Sequence, residues 1–519
     1  MLRMRPMRVF RVCLWVFILG ILVYLLTAFK VGLDSVYPLL QNAPLQSGYK
    51  ILHARWKEII GPRNGLCHAE KHANISSQPW DSYAANSEHL QEISQSLKLN
   101  LQKAWVSPPQ SLFSRDAFVN TSIPPFNARI PALVHHKGYF LAFCEARFDG
   151  IDDWGKMYIS IRRGRLQRKT VNWERIRLIA GIPDYRTMNP SPIVDLINDA
   201  IVVVFSAFPT DMNFKYMLLF AGQPLSKVYV IKSYDVGISW TDPIEITSMT
   251  IGKMNPFPVL YVPGPGHAIQ MKCGRLVVPG NFYTSDKKGI HGFCSNCTNL
   301  SNIIYSDDGG TTWHLGAETK PAQDASKRPV YPNEPQIAEL DENVLYLNAR
   351  TLNAVQPRAY AYSSDGGKTF SNVTLHASLH EPGFDKVNKK KWKQLAAGGC
   401  QASTLAINAE RFGAVKTPQR TWLVFSNPAD PLDRVNLGIR LSLDGGQSWS
   451  DPWILFPFKS GYSDLVYLEE TQDGQLQRYL AVLYEGGNEK FYDFVNFQMF
   501  NLEALFKNIL NPIVVKHED

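Results

Sequence analysis

SYDVGISW (233–240), SDDGGTTW (306–313), SSDGGKTF (363–370) and SLDGGQSW (442–449) are four copies of one pattern, Ser-x-Asp-x-Gly-x-Thr/Ser-aromatic, and an alternating apolar stretch runs into each. Asp235, Asp308, Asp365 and Asp444 sit where a carboxylate turns back onto nearby backbone N–H groups. Gly237, Gly310, Gly367 and Gly446 supply the unusual φ of a tight turn. Trp240, Trp313, Phe370 and Trp449 are then expected to pack beside the hairpin. Hairpin modules repeated in this way predict an all-β fold, a β-propeller or another radial array. The aspartates are 73, 57 and 79 residues apart, more than a plain blade requires, so long loops and some blades without a copy are expected. These aspartates are turn-formers, and none is a catalytic candidate.

The composition suits one large folded body. The 519 residues are 45% hydrophobic and 19% charged, enough for a sizeable core, and about 400 residues is normal for a propeller. A formal charge of +8 raises the question of nucleic acid, but the one basic run, KVNKKKWK (386–393), reads as a solvated loop. An anionic substrate or glycan surface suits the sign equally well.

Residues 12–29 (VCLWVFILGILVYLLTAF) carry no charge and follow Arg3, Arg5, Arg8 and Arg11, and no Ala-x-Ala cleavage site comes after them. The reading is a signal anchor with residues 1–11 in the cytosol; a cleaved signal peptide is the alternative. The expected protein is thus a single-pass type II membrane protein whose body is luminal or extracellular, in the Golgi, the lysosome or endosome, or at the plasma membrane. The short span fits a thinner early-secretory membrane better. Acceptor tripeptides at Asn74, Asn120, Asn296, Asn299 and Asn372 agree with that side of the membrane. Of the cysteines, Cys294 and Cys297 read as a surface loop with room for a local disulfide, and Cys144 and Cys400 as buried thiols. Residues 30–105 read as a luminal stem with a helical stretch near 87–104, and 106–519 as the β-rich body, with a helix over 501–510.

The chemistry begins at Ala128-Arg129-Ile130-Pro131, followed by the strand FLAFCEAR (140–147). With TMNP (187–190), GPGH (264–267), LNAR (347–350), SNPADPLDRVNLG (426–438), GYSDL (461–465) and VLYEGG (482–487), it forms an ordered series over nearly 400 residues. The four repeats resemble the Asp-boxes of sialidases, and the series is similar to the animal lysosomal and cytosolic sialidases in particular. The resemblance implies a six-bladed β-propeller and a retaining exo-α-sialidase that acts on sialylated glycoproteins, oligosaccharides or gangliosides. In that family three arginines clamp the sugar carboxylate, and they fall here on Arg129, Arg350 and Arg434. Planar guanidinium groups match a carboxylate bidentately, and three converging cations repel unless an anion fills the site. Glu485 resembles the carboxylate that holds the first arginine.

The resemblance places the nucleophile on Tyr462, with Glu334 as its base. An anionic nucleophile would meet repulsion from the substrate carboxylate, and tyrosine-using sialidases are an exception to the two-carboxylate pattern of glycosidases. Because phenol has a reference pKa of about 10, Glu334 must share the proton. For the general acid/base the loop after CEAR offers Asp149, Asp152 and Asp153; Arg162-Arg163 resembles the paired arginines that end the next strand in the cytosolic sialidases, and counting back from it the resemblance places the family's aspartate on Asp153, with Asp152 the runner-up. Arg147 and Asn189 match positions beside the acyl-amino group, and Tyr283 matches one tyrosine near the glycerol tail. The second tyrosine of that pair is replaced by Asn281. A glutamate of the cytosolic enzymes has no clear counterpart, Asp211 being the nearest acid. These departures leave acyl-group and tail preference open, including a deaminated sialic acid. No cofactor is implied, since no cluster has metal-ligand spacing. A transglycosylating enzyme would use the same residues. A sialic-acid lectin or an Asp-box sorting receptor would keep the repeats without needing Asp153, Tyr462 and Glu334 together.

Overall fold

The computed structural model describes residues 85–114, 118, 121–212, 225–284, 298–352, 356–383, 398–412 and 421–512. The anchor expected at 12–29, the tail before it and the stem up to residue 84 lie outside these, as do Cys294, Cys297 and the basic run at 386–393. Among the described residues no helix is long and apolar enough to cross a membrane.

Four antiparallel sheets follow one another along the chain, and each has the form of a propeller blade. The first is built on Asn127–His136, Tyr139–Arg147 and Met157–Gln167, and the second on Tyr185–Asp195, Ala200–Pro209, Lys227–Ser233 and Ile244–Glu245. The third comprises Leu260–Pro263, Leu276–Thr284, Thr298–Ser306 and His314–Glu318, with Ile269–Gln270 on its edge. The fourth runs Pro332–Asp341, Val344–Thr351, Ala359–Ser363 and Thr374–Leu375. A further sheet of seven strands runs Ser403–Asn408, Thr421–Pro428, Val435–Ser442, Trp453–Gln472, Gln475–Gly487, Phe494–Asn501 and, out of chain order, Gln110–Ser111. The fold is the all-β, propeller-like arrangement that the repeats predict.

Strand alternation explains how the sheets stack. Successive side chains leave a strand on opposite faces, so a strand buried on both sides feeds two cores. Ile201, Val203 and Phe205 pack with Leu141, Phe143 and Ile161 of the first sheet, while Val202 and Val204 pack with Tyr261, Val278 and Ile304 of the third. The pattern continues through the third and fourth sheets. In the seven-stranded sheet, Trp422 and Val424 meet Leu480, Val482 and Tyr484 in one core, so this sheet is folded upon itself around its long strand. Its last strands then send Tyr479, Ala481 and Leu483 against Phe140, Ala142 and Cys144 of the first sheet, closing the ring.

Each Ser-x-Asp-x-Gly pattern forms the turn after the third strand of its sheet. The carboxylates of Asp235, Asp308, Asp365 and Asp444 accept the backbone N–H four residues on, at 2.8–2.9 Å, and the hydroxyl of that same residue at 2.5–2.7 Å. Gly237 has φ +79°, and Trp313, Phe370 and Trp449 are buried against the adjoining core. Asn299 lies 2% exposed inside a strand, which removes it as a glycan acceptor, whereas Asn372 is exposed. Cys144 and Cys400 are buried free thiols, and Cys273 is disulfide-bonded to a cysteine outside the described residues.

Among the described residues, two helices stand against the folded sheet. Helix α1, Ser87–Ser96, is capped by the Asn86 side chain, which accepts from His89 N at 2.9 Å, and buries Leu90 and Ile93. Helix α2, Leu502–Leu510, buries Leu505, Phe506 and Ile509 in the same core as Leu90, Ile93 and Trp422. The predicted helical stretch near 87–104 is thus a helix to Ser96 followed by a 3₁₀ turn at Leu101–Lys103. Ile93→Ala should cost about 2–4 kcal/mol in urea unfolding, whereas Gln91→Ala on the exposed face should stay within about 0.5 kcal/mol.

A buried carboxylate joins the sheets beneath the candidate site. Asp464 accepts Leu133 N and His267 N, each at 2.8 Å, and Ser403 Oγ at 2.9 Å, and lies 2.7 Å from His267 Nδ1. Burial works against the His267 imidazolium, but Asp464 outweighs it and the histidine titrates above its ordinary 6.5. A raised pKa means that this stabilisation is full below about pH 6.5 and is lost as pH rises through the folded value. The melting-temperature gap between the unaltered protein and His267→Gln should therefore shrink as pH is taken from about 5.5 to about 8.5. A gap independent of pH would show that His267 does not titrate there.

Candidate active site

The first strand of the first, second and fourth sheets breaks register near its start, between Arg129 and Ala132, Met188 and Ser191, and Asn333 and Pro335. The long strand of the seven-stranded sheet does the same between Ser460 and Ser463. Bulges of this kind re-aim side chains. At three of them a non-glycine residue with positive φ precedes a proline: Ile130 (+60°), Asn189 (+54°) and Glu334 (+42°). Such a conformation costs on the order of 1–3 kcal/mol and persists only where the surroundings impose it. For Ile130 the imposing group is Glu485, whose Oε1 accepts its N–H at 2.9 Å; for Asn189 it is Glu145, whose Oε1 accepts at 2.7 Å.

Glu485 does more than hold Ile130. Fully buried, it accepts Arg129 Nε at 2.6 Å and Tyr462 N at 3.1 Å, so one carboxylate fixes both the arginine and the tyrosine. The Tyr462 hydroxyl donates to Glu334 Oε1 in a very short hydrogen bond. Arg350 Nη1 donates to Glu334 Oε2 at 2.7 Å and to the Tyr462 oxygen at 3.3 Å, while Gly398 O holds its other edge at 2.9–3.0 Å. Arg434 is held by Gly399 O at 2.8 Å and faces the Tyr462 ring with its guanidinium carbon 5.8 Å from the centroid. Burial and then the Glu334 charge push the Tyr462 phenol well above 10, against the pull of Arg350, Arg434 and Arg129. Arg129 is raised because Glu485 outweighs its burial. The predicted residues Arg129, Arg350, Arg434, Tyr462, Glu334 and Glu485 thus form one contiguous cluster.

Arg147, Asp153 and Asn189 form the adjoining cluster. Arg147 donates through Nε to Glu145 Oε2 at 2.8 Å and through Nη1 lies 2.8 Å from Asp153 Oδ1. The loop between them is pinned: Phe148 N bonds Lys156 O at 3.0 Å, Lys156 N bonds Asp149 at 2.6 Å, and Arg147 reaches Ile151 O. Asp149 is therefore a loop brace, and among the three acids offered by the sequence it is Asp153 that turns onto Arg147. Its side chain is 52% exposed. Desolvation favours its acid form, but Arg147, Arg129 and Arg186 outweigh this and hold the carboxyl below the ordinary aspartate value. Asn189 spends its side-chain N–H on Pro263 O at 2.8 Å, and Tyr283 accepts Asn333 Nδ2 at 3.3 Å with its phenol pushed up to about 12 by burial.

Three participants escaped the sequence reading. Arg186, fully buried just before TMNP, is drawn down to about 10 by burial against the charges of Asp153 and Glu145. Phe491 and Tyr492 wall the arginines, with the Arg434 guanidinium 4.8 Å from the Phe491 centroid and that of Arg129 5.4 Å from Tyr492. The signal for Arg186 is its place directly before TMNP, a motif of the ordered series. Phe491 and Tyr492 gave none beyond aromatic residues in a polar loop.

A cluster of converging arginines, a phenol bonded to a carboxylate and a half-exposed acid is equipped to bind a small carboxylate and to move a proton at each side of it. The BNR repeat-like domain family matches residues 138–477. The chain belongs to the sialidase family. Among its relatives, mouse Sialidase-3 is 31% identical over 76% of this chain and 95% of its own length, and human Sialidase-4 is 26% identical over 73% and 91%. Among solved structures, the Hadza microbial sialidase Hz136 matches with a TM-score of 0.56 at 25% identity, covering 73% of this chain and 66% of that one. Trypanosoma rangeli sialidase shares the fold, with a TM-score of 0.53 at 18% identity over 74% of this chain and 56% of its own. As a sialidase-family protein, the chain is a glycoside hydrolase by kinship. Glu485→Gln should unpair a buried Arg129 and lower stability by about 3–5 kcal/mol in urea unfolding, far more than the exposed control Glu489→Gln.

Proposed function

We propose that the protein is a retaining exo-α-sialidase that releases terminal sialic acid from glycoproteins, oligosaccharides or gangliosides. The observation that carries this reading is the Tyr462 hydroxyl bonded to Glu334 inside the ring of Arg129, Arg350 and Arg434. The substrate carboxylate lies among the three guanidinium groups, which puts the anomeric carbon beside Tyr462 Oη. As the phenol oxygen attacks, its proton passes to Glu334, and the glycosidic bond breaks with Asp153 protonating the leaving oxygen. In the second half Asp153 takes a proton from water, the hydroxide oxygen attacks the anomeric carbon, and Tyr462 leaves with the proton that Glu334 returns. Two displacements retain the anomeric configuration. An empty site favours the anion of Asp153; a bound carboxylate offsets the arginine field and eases its protonation.

The seven-stranded sheet is best read as two blades sharing the strand Trp453–Gln472, which brings the propeller to six. The apolar stretch at 12–29 acts as a signal anchor, with 1–11 cytosolic and the body from the stem onward luminal or extracellular. The Cys273 disulfide supports an oxidising compartment, and an exposed Asn372 supports glycan addition there.

The deciding measurement is release of fluorophore from an aryl α-sialoside, beside its deaminated analogue, by the intact protein across about pH 4 to 8. Tyr462→Phe should lower kcat by at least about a hundredfold while binding of a sialic-acid-like inhibitor changes little, since only the attacking oxygen is lost. Undiminished turnover by that variant would remove Tyr462 as the nucleophile. Turnover of neither sugar by folded protein would leave a binding propeller.

A further inference from the structure

Glu334 has the same left-handed backbone as Ile130 and Asn189, and its amide is also held by a buried side chain, but from a different sheet and with a different chemistry. Asn281 Oδ1, on the strand Leu276–Thr284 of the third sheet, accepts Glu334 N at 3.1 Å. Asn281 is 1% exposed, so its amide has no solvent to turn towards. Two residues on, on the same face of that strand, Tyr283 accepts Asn333 Nδ2 at 3.3 Å, so the third sheet grips two consecutive residues of the bulge in the fourth. Glu334 also precedes Pro335, a context that drives a backbone towards the extended region rather than φ +42°.

We propose that Asn281 is the positioning residue for the base: by accepting the Glu334 N–H it holds the strained bulge that keeps the Glu334 carboxylate on the Tyr462 hydroxyl. The inference rests on Glu334 being the base of the proposed reaction. The two parallel cases support it. Ile130 and Asn189 are held by the carboxylates of Glu485 and Glu145, each balanced by an arginine, Arg129 or Arg147. At Glu334 the residue being held is itself an anion, and a second carboxylate beside it would repel it and raise its proton affinity. A neutral amide gives the same hydrogen bond without the charge. The cytosolic sialidases place a tyrosine of the tail pocket at this position; here the side chain is spent on the backbone of the neighbouring sheet.

The test uses the intact protein with Asn281→Leu, which removes the acceptor, and Asn281→Asp, which keeps it and adds a titratable charge. Two aryl sialosides serve as substrates, one with the full nine-carbon skeleton and one with the glycerol side chain truncated to seven carbons. Asn281→Leu should lower kcat about tenfold or more on both, with KM shifted less than about threefold. Asn281→Asp should approach the unaltered kcat at the acid end of the profile and lose it as pH rises and the new carboxyl ionises. A loss confined to the nine-carbon substrate, or carried in KM, would make Asn281 a tail contact and overturn the proposal. So would unchanged kcat per folded molecule in both variants. If Asn281→Leu fails to fold, the pH profile of Asn281→Asp decides alone, a profile parallel to that of the unaltered protein being the negative result. Lack of turnover by the unaltered protein would instead overturn the base assignment itself.

Discussion

One buried carboxylate holds the site together. Glu485 takes three donors at once, the backbone N–H groups of Ile130 and Tyr462 and the guanidinium of Arg129. Two are backbone hydrogen bonds and the third is a buried ion pair; together they force a β-branched residue into the left-handed region, aim the first arginine and set the strand that carries the phenol. A fully buried carboxylate is tolerable only because it is saturated in this way. Removing any one donor would leave the others in competition with its desolvation cost.

The site is also a balance of charge. Arg129, Arg147, Arg186, Arg350 and Arg434 converge on a small volume, and the paired acids Glu485, Glu145 and Glu334 offset only part of that field. The surplus is visible in Asp153, whose carboxyl is held below its usual range although its surroundings are partly desolvated. An anionic ligand is the natural complement, since it relieves the repulsion among the arginines and at the same time loosens their hold on Asp153. In the proposed reaction, binding and proton transfer would thereby be coupled through one electrostatic field.

The fold was legible because its signals are local. Asp308 bonds the amide four residues away, and the alternation of Ile201 to Phe205 can be read from neighbours in sequence. Arg129, Glu334, Arg350, Tyr462 and Glu485 were placed through ordered motifs shared with a family, not through any periodicity. What escaped reading depends on contacts between sheets. Asn281 stands in the sequence only as the replacement of a tail-region tyrosine, because its strand says nothing of the bulge it meets 53 residues later; Arg186 enters the field of Asp153 and Glu145 only when the second sheet stacks on the first, and Tyr492 meets Arg129 only once the last strands reach it. Asn299 shows the converse: a valid acceptor tripeptide in sequence, buried in a strand in space.

Ring closure has a consequence for the birth of the protein. Arg129 and Glu485 stand 356 residues apart, and Gln110–Ser111 completes the sheet that ends in Phe494–Asn501. During synthesis the first arginine and its loop acid emerge long before the carboxylate and the phenol that complete them. Until the last strands leave the ribosome, Ile130 has no partner to hold it and the first sheet shows an uncovered apolar face, which makes the nascent chain a client for chaperones. The site therefore assembles only when the strand that carries Glu485 is in place, and a chain cut short before that strand carries arginines without a site.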